Sequence, residues 1–134
     1  MKQRNTMQRQ IVLETVYRLD THPTVEDVYR EVQKIHPAIS KSTIYRNLHL
    51  LAESGDILRV SIPGDQERYD RNTKMHYHFL CRLCETISDV DIDIGCLDGI
   101  DRSMQKKYGV EVDEHDVVLR GVCLKCRFIS GEGP

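Results

Sequence analysis

The sequence predicts an α+β fold in two parts, in which three short helices and a hairpin precede a small α/β unit. Apolar residues recur at helical spacing up to Gly55, apolar residues alternate after it, and two Cys-x-x-Cys motifs bracket the second half. A chain of 134 residues with 40% hydrophobic residues and no tryptophan can bury only a modest core. Each part therefore needs a further source of stability, such as a metal or a partner subunit.

Charge is divided unevenly along the chain. The formal net charge is −2, but residues 1–62 carry nine Lys/Arg against seven Asp/Glu, and residues 63–134 carry ten against fourteen. The first half can therefore bind nucleic acid, although its charge does not require it. No apolar run could span a membrane, and the basic N-terminus lacks the apolar core of a signal peptide. We expect a cytoplasmic protein without a membrane partner, in which paired cysteines indicate metal thiolates rather than disulfides.

Two helices are predicted at the start of the chain from apolar stripes and boundary residues. Thr6 is predicted to cap the first helix, which runs to about Leu19. Thr24 is predicted to cap the second, with Asp27 in a capping-box position. Pro37 ends the second helix, because the residue before a proline avoids the helical conformation.

A third helix and a hairpin complete the first half. Ser40 opens the helix, and Gly55 suits the position just after its end. Its apolar face is formed by Ile44, Leu48 and Leu51. Alternating apolar residues over 58–62, a PGDQ turn and a returning ERYD segment then predict a hairpin. Three short helices and a hairpin are the order of a winged helix-turn-helix domain.

The second half is predicted to be a small α/β unit. Alternation predicts strands over residues 75–80 and 86–90. A helix is predicted over 97–108, and one or two further strands over 110–122. The tail from Phe128 onward is expected to fray.

The strongest functional signal is the pair of Cys-x-x-Cys motifs, which 38 residues separate. The motifs comprise Cys81, Cys84, Cys123 and Cys126. Four thiolates suit tetrahedral Zn²⁺, and a filled shell leaves no open position for chemistry, so we predict a structural zinc. Two redox pairs or four buried thiols are the alternative. Cys96 lies outside both motifs and is expected to be a small buried hydrophobe.

A second set of candidate ligands lies around the first motif. His76 and His78 alternate, which places both on one face of the predicted strand. Asp70 lies just upstream, and Asp89 lies on the neighbouring predicted strand. Nitrogen and carboxylate ligands suit divalent iron, manganese or zinc. The alternative is a pair of solvated histidines beside an acidic face, and spacing alone does not connect His22 to this set.

The outer face of the third helix is the candidate DNA reader. It offers a phenol, a guanidinium, hydroxyls and an ammonium group, which suit thymine methyls, guanine edges and phosphates. The residues of this face are Lys41, Ser42, Thr43, Tyr45 and Arg46. A merely solvated helix face is the alternative, and the winged-helix order of elements favours DNA.

Common catalytic motifs are absent from the sequence, which holds no GxSxG, no phosphate-binding loop and no HExxH. We therefore expect neither an enzyme nor a small organic substrate. A zinc-dependent hydrolase remains the competing class, because His-x-His with carboxylates could leave a zinc position open. A zinc-stapled protein-interaction module is a third class.

In combination, these motifs resemble the ferric uptake regulator (Fur) family of bacterial repressors. The resemblance rests on HPTVEDVY, STIYRNLHLLAESG, RYD, HYHFLCRLC and GVCLKC, and it extends roughly over residues 6–127. It implies a winged-helix DNA-binding domain over residues 1–71, a hinge at Asn72 and Thr73, and an α/β dimerisation domain with structural zinc over residues 72–134. It also implies a homodimer that binds an A/T-rich inverted-repeat DNA operator under the control of a divalent metal.

The resemblance also implies roles for individual residues. His22, from the HPT motif, would join a regulatory Fe²⁺ or Mn²⁺ site. The other ligands of that site would be Asp70, His76, His78 and Asp89. The four motif cysteines would bind the structural zinc. Arg4 resembles a basic residue that contacts the DNA minor groove in the family.

Departures from the iron-sensing pattern favour the peroxide-sensing (PerR) branch. Asp89 stands where iron-sensing members tend to have glutamate. Met75 and Tyr77 stand where those members often carry ligands of an extra metal site. His115 resembles a remnant of that extra site, and Cys96 lies about where a further acidic ligand is expected.

The peroxide-sensing branch implies a mechanism in which Fe²⁺ and peroxide oxidise a ligand histidine, with His22 or His76 as the target. The oxidised ring is a poor ligand, so the metal and then the DNA are released. An iron-responsive repressor, or one that responds to another divalent metal and controls metal uptake, is the alternative.

Overall fold

The structure, a computed structural model, describes residues 2–20, 22–74, 76–91 and 95–129, with the side chains of residues 2–5 outside the description. The chain forms two compact units, Met1–Met75 and His76–Pro134. The predicted domain boundary after residue 71 remains a prediction. Among the described residues, no helix is long and apolar enough to cross a membrane.

Three helices open the first unit. They are α1 (Lys2–Arg18), α2 (Val25–Ile35) and α3 (Lys41–Glu53). The predicted capping box is confirmed, because the Thr24 hydroxyl accepts from the Asp27 N–H at 3.2 Å and the Asp27 carboxylate accepts from the Thr24 N–H at 3.0 Å. Ser40 caps α3 in a similar way, with its hydroxyl accepting from the Thr43 N–H at 3.2 Å. The caps fix where α2 and α3 begin.

The first helix is longer at its N-terminus than predicted. It begins at Lys2, so Thr6 lies inside α1 and does not cap it, and it ends at Arg18. No glycine or proline interrupts the α1 sequence, so a single threonine is not enough to stop the helix.

A hairpin follows the helices, as predicted. The strand β1 (Leu58–Val60) pairs antiparallel with β2 (Arg68–Asp70). Gly55, with a φ of 83°, adopts the left-handed conformation that ends α3. The core of the unit contains Val12, Val16, Val28, Val32, Ile39, Ile44, Leu48, Leu51, Ile57 and Tyr69. Three helices packed with a hairpin confirm the winged helix-turn-helix prediction.

The second unit contains a three-stranded sheet and two helices. Its elements are β3 (Tyr77–Cys81), β4 (Ile87–Val90), α4 (Cys96–Tyr108), β5 (Val118–Gly121) and α5 (Leu124–Ile129). The sheet order is β4-β3-β5, with β3 antiparallel to β4 and parallel to β5. Gly109, with a φ of 67°, ends α4 as predicted. The unit confirms the predicted α/β organisation.

The boundaries of two elements in this unit differ from their predictions. His76 precedes β3 instead of lying inside it, and Met75 lies outside the described residues. Phe128 and Ile129, which the sequence assigns to a frayed tail, form the end of α5, and residues 130–134 lie outside the described residues. The helix α5 is anchored by Cys126, which is buried. The burial of Cys126 stabilises a helix that would be too short to form by itself.

The capping box gives a test of how the first unit is stabilised. Thr24→Ala should lower the free energy of unfolding by about 1 kcal/mol, because the Asp27 N–H loses its hydrogen-bond partner. Urea and thermal unfolding of the full chain measure this change. Thr24→Ser keeps the hydroxyl and should stay close to the wild type. Equal destabilisation by both substitutions would show that the capping hydrogen bond is not the source of the effect.

Candidate metal centres and nucleic-acid interface

Four cysteines of the second unit form a thiol cluster, which consists of Cys81, Cys84, Cys123 and Cys126. Their sulfur atoms all lie within 4.8 Å of one another. The first motif begins at the end of β3, and the second lies at the start of α5. The parallel pairing of β3 with β5 places Gly121 opposite Cys81, and the second motif begins two residues later. Sheet register therefore brings together two motifs that lie far apart in the sequence.

The electrostatics of the thiol cluster favour a bound cation. Hydrogen bonds from the backbone of Cys84 and then Cys123 lower the pKa of Cys81 to about 6. A hydrogen bond to the Thr86 side chain lowers the pKa of Cys84. The neighbouring Cys123 sulfur and burial raise the pKa of Cys126 to about 12. Without a cation the four thiols do not all ionise together, so Zn²⁺ binding would release protons. Four sulfur ligands around one point are consistent with a closed structural zinc site.

Cys96 lies outside the thiol cluster. It begins α4 and is exposed, so the expectation of a small buried hydrophobe is wrong. The physical reason is that α4 contains no buried residue, so the unit's own core does not enclose its first turn.

His115 has a partner that the sequence did not indicate. Its Nε2 lies 2.6 Å from Oδ1 of Asp101 on α4. Neither His115 nor Cys96 belongs to a group of three or more potential metal ligands in the part of the chain that the structure describes. The His115–Asp101 pair links α4 to the irregular segment before β5.

The first His/Asp set consists of His22 and Asp70, in the first unit. The His22 Nε2 lies 3.1 Å from Asp70 Oδ2, and the two side chains are 10% and 7% exposed. Residues of strand β2 position this pair. The Arg68 guanidinium donates to the His22 carbonyl at 3.2 Å, and the Tyr69 N–H donates to the Pro23 carbonyl at 2.9 Å. Consecutive residues of the RYD motif thus hold the HPT segment against the Asp70 carboxylate.

The second His/Asp set consists of His76, His78 and Asp89, in the second unit. The Nε2 atoms of His76 and His78 lie 3.0 and 3.5 Å from the same atom, Asp89 Oδ1. The register of β3 with β4 places His78 opposite Asp89. The two histidine rings have centroids 4.5 Å apart, on one side of the strand as the alternation predicts.

Both His/Asp sets offer the same ligand chemistry. Imidazole nitrogens and carboxylate oxygens are consistent with Fe²⁺ or Mn²⁺, whereas the thiol cluster is the softer set that suits Zn²⁺. Asp70 is further oriented by the Asn72 N–H, which donates to Asp70 Oδ1 at 2.9 Å. Such hydrogen bonds to a ligand fix the direction of its free oxygen.

Helix α3 presents most of the predicted DNA-reading side chains to solvent. Lys41, Ser42, Tyr45 and Arg46 are exposed, and Thr43 is half-buried. The burial of the apolar face of α3 fixes this orientation. Lys41 forms an ion pair with Glu26 of α2, a partner that the sequence did not indicate. Arg4 lies in α1, but its side chain lies outside the described part of the chain.

A winged-helix domain, followed by an α/β domain with thiolate and His/Asp ligand sets, defines a metal-responsive DNA-binding regulator. The family model for the ferric uptake regulator family matches residues 1–120, and the chain belongs to this family. Regulators of this family bind DNA and act as dimers. Family membership therefore makes the chain a metal-dependent repressor and implies that it is not an enzyme.

Individual relatives fit this assignment. The peroxide-responsive repressor PerR of Staphylococcus aureus is 34% identical over 124 residues, which are 92% of this chain and 82% of that protein. The crystal structure of the Campylobacter jejuni peroxide stress regulator is 30% identical, with a TM-score of 0.72 and coverage of 93% of each chain. The ferric uptake regulator of Francisella tularensis, solved with iron, has a TM-score of 0.75 over 90% of this chain and 91% of that chain. At 20% identity this last likeness supports the fold alone.

Two cysteine substitutions test the structural role of the thiol cluster. Cys81→Ser removes one of the four sulfur ligands and should abolish stoichiometric zinc binding. The second unit should then unfold or fail to dimerise, because structural zinc contributes about 10–16 kcal/mol to folding in small zinc peptides. Zinc analysis, circular dichroism and sedimentation measure these outcomes. Cys96→Ser, which changes an exposed thiol outside the cluster, should keep zinc and stability. A folded, dimeric Cys81→Ser protein would contradict the structural role.

Proposed function

We propose that this chain is a repressor that senses peroxide through Fe²⁺-catalysed oxidation of a ligand histidine. The observation that carries the proposal is the placement of two imidazoles, those of His76 and His78, at one oxygen of Asp89. In the family, aspartate at this position is typical of the peroxide-sensing branch. The names of the Staphylococcus aureus and Campylobacter jejuni relatives support the same branch.

The proposed regulatory site combines both His/Asp sets around one ion. His22 and Asp70 would supply ligands from the DNA-binding domain, residues 1–71. His76, His78 and Asp89 would supply them from the dimerisation domain, residues 72–134. An ion that binds ligands of both sets favours the domain arrangement in which those ligands lie together. It can shift the population only by the difference between its affinity for that arrangement and its affinity for the others. Moving a population from 1:99 to 99:1 takes a difference of about 5.5 kcal/mol in the free energy of binding to the two arrangements.

Repression requires that this arrangement fit DNA. A homodimer with two copies of α3 would match successive major grooves of an A/T-rich inverted repeat. Lys41, Ser42 and Thr43 lie at the start of α3, where hydroxyl and ammonium groups suit phosphates. Tyr45 and Arg46 follow, and they suit thymine methyls and guanine edges. Arg4 would reach the minor groove.

When bound, Fe²⁺ would catalyse the cleavage of hydrogen peroxide beside a ligand imidazole, and the ring would supply the two electrons overall. His22 or His76 is the expected target, and one peroxide oxygen is added to its ring while the other leaves as water. Both side chains are nearly buried, with 10% and 11% exposure, so bulk solvent has little contact with them. An oxidised ring is a weaker ligand, so its His/Asp set loses metal affinity. Mn²⁺ would support repression without this oxidation.

A DNA-binding titration with Fe²⁺, Mn²⁺ and Zn²⁺, each with and without peroxide, tests the proposal. The Fe²⁺-loaded protein should bind DNA and release it after peroxide, with a mass increase of 16 Da, one added oxygen atom, on a peptide that contains His22 or His76. The Mn²⁺-loaded protein should remain bound and unmodified. DNA release with both histidines unmodified would refute the oxidation mechanism. Metal-dependent DNA binding that peroxide does not change would instead indicate a repressor that responds to iron or another divalent metal.

The length of the carboxylate side chain at position 89 gives a second test. Asp89→Glu keeps a carboxylate ligand, so metal-dependent DNA binding should persist. The longer side chain moves that carboxylate relative to the two imidazoles, so the peroxide response should be slower. The rate of DNA release and the mass of the ligand peptides measure the response. Asp91→Glu makes the same change at an exposed position outside the set and should respond like the wild type. An unchanged response in Asp89→Glu would remove the main reason for choosing this branch.

A further inference from the structure

The DNA-reading face of α3 has a second aromatic side chain behind Tyr45. His49 lies one turn later on α3, and the two ring centroids are 4.4 Å apart at an interplanar angle of 46°. Tyr45 is 48% exposed, whereas the His49 side chain is 29% exposed. The imidazole therefore gives the exposed phenol ring a partly buried surface against which to pack.

Glu67 connects His49 to the hairpin. Glu67 Oε2 lies 3.8 Å from the His49 Nε2 and accepts a hydrogen bond from the Tyr69 hydroxyl at 3.4 Å. Glu67 Oε1 lies 3.9 Å from the Arg59 guanidinium of β1. Tyr69 is fully buried, and burial raises its pKa well above the usual range, so its hydroxyl stays a hydrogen-bond donor. One carboxylate thus connects β1 and β2 to α3.

The His49 Nε2 faces this carboxylate from an enclosed position. It is shielded from solvent, and it has no hydrogen-bond partner among the described residues. A buried ring nitrogen without a partner is costly, so a small approach to Glu67 would be favourable. The contact between His49 and Glu67 therefore restrains the imidazole, and the imidazole restrains the Tyr45 ring.

We propose that His49 and Glu67 are positioning residues that hold the Tyr45 ring in the orientation that contacts a thymine methyl group. The inference rests on the proposed role of α3 as the DNA reader. A ring that is already held against an imidazole loses less side-chain entropy when it meets a base. The C5-methyl of thymine is the apolar feature of the major groove that such a ring fits. The hairpin thereby contributes to base discrimination without touching the base.

The test uses the full chain loaded with Mn²⁺ and a duplex selected from a random DNA pool by that protein. Each thymine of the duplex is replaced in turn by uracil, which removes only the methyl group. At the position read by Tyr45, the wild type should lose affinity about fourfold, the value of one buried methyl group. That position is recognised because Tyr45→Ala no longer distinguishes thymine from uracil there. Fluorescence anisotropy measures both affinities.

Substitutions of the positioning residues should remove this preference selectively. His49→Ala should bind the thymine and uracil duplexes with similar affinity, and Glu67→Gln should reduce the ratio in part. His49→Phe keeps a ring against Tyr45 and should retain most of the ratio. His36→Ala and Glu53→Gln change exposed side chains near the ends of α2 and α3 and should leave the ratio unchanged.

The outcomes separate this inference from the proposed function. If the wild type binds DNA in a metal-dependent way and His49→Ala keeps the full thymine preference, the positioning role is overturned and the repressor function stands. Equal weakening of both duplexes by His49→Ala, with the ratio intact, would assign His49 a purely structural role and also overturn the inference. If Tyr45→Ala changes the preference for thymine over uracil at no position of the duplex, the inference is overturned as well. A wild type without metal-dependent DNA binding overturns both proposals.

Discussion

The register of β3 is the constraint on which both ligand sets of the second unit depend. Its antiparallel pairing with β4 places His78 opposite Asp89, and its parallel pairing with β5 places Cys81 opposite Gly121, next to the second cysteine motif. Because side chains alternate along a strand, a slip of one residue would turn His78 to the other face and separate the cysteine motifs. One strand therefore fixes the relative positions of the imidazoles, the carboxylate and the thiols.

The thiol cluster offers a way to stabilise this register in so small a unit. The helix α4 contributes no buried residue, and few side chains of the sheet are fully enclosed. Hydrophobic burial within the unit is thus limited, and a Zn²⁺ ion held by the four cysteines would join the end of β3 to α5 and supply further stability. The same ion would help to hold β3 and β5 in register, and so indirectly His78 near Asp89. Loss of zinc should consequently change the geometry of the second His/Asp set, although that set and the thiol cluster share no ligand atom.

The sequence predicted the features that depend on local rules. The capping box of Thr24, the end of α3 at Gly55 and the shared side of His76 and His78 all follow from short-range spacing. The partners Glu26 for Lys41, Asp101 for His115 and Glu67 for His49 are not predictable in this way, because they come from elements that only tertiary packing brings together. The buried state expected for Cys96 followed from the average behaviour of cysteine and failed because α4 lies on the surface. His22 required the family resemblance, since no periodicity relates it to Asp70.

The chemistry of the ligands explains how two kinds of ion can be kept apart in one chain. Thiolates select the softer Zn²⁺ and close its coordination shell, whereas imidazole and carboxylate groups suit Fe²⁺ or Mn²⁺. Burial varies within each ligand set, since Cys81 and Cys126 are buried whereas Cys84 is exposed. Cys81 is fully buried, and Asp89 is 45% exposed beside two nearly buried imidazoles. An exposed carboxylate at the edge of a buried nitrogen pair gives a small molecule a path to the ligands. A sensor needs that access.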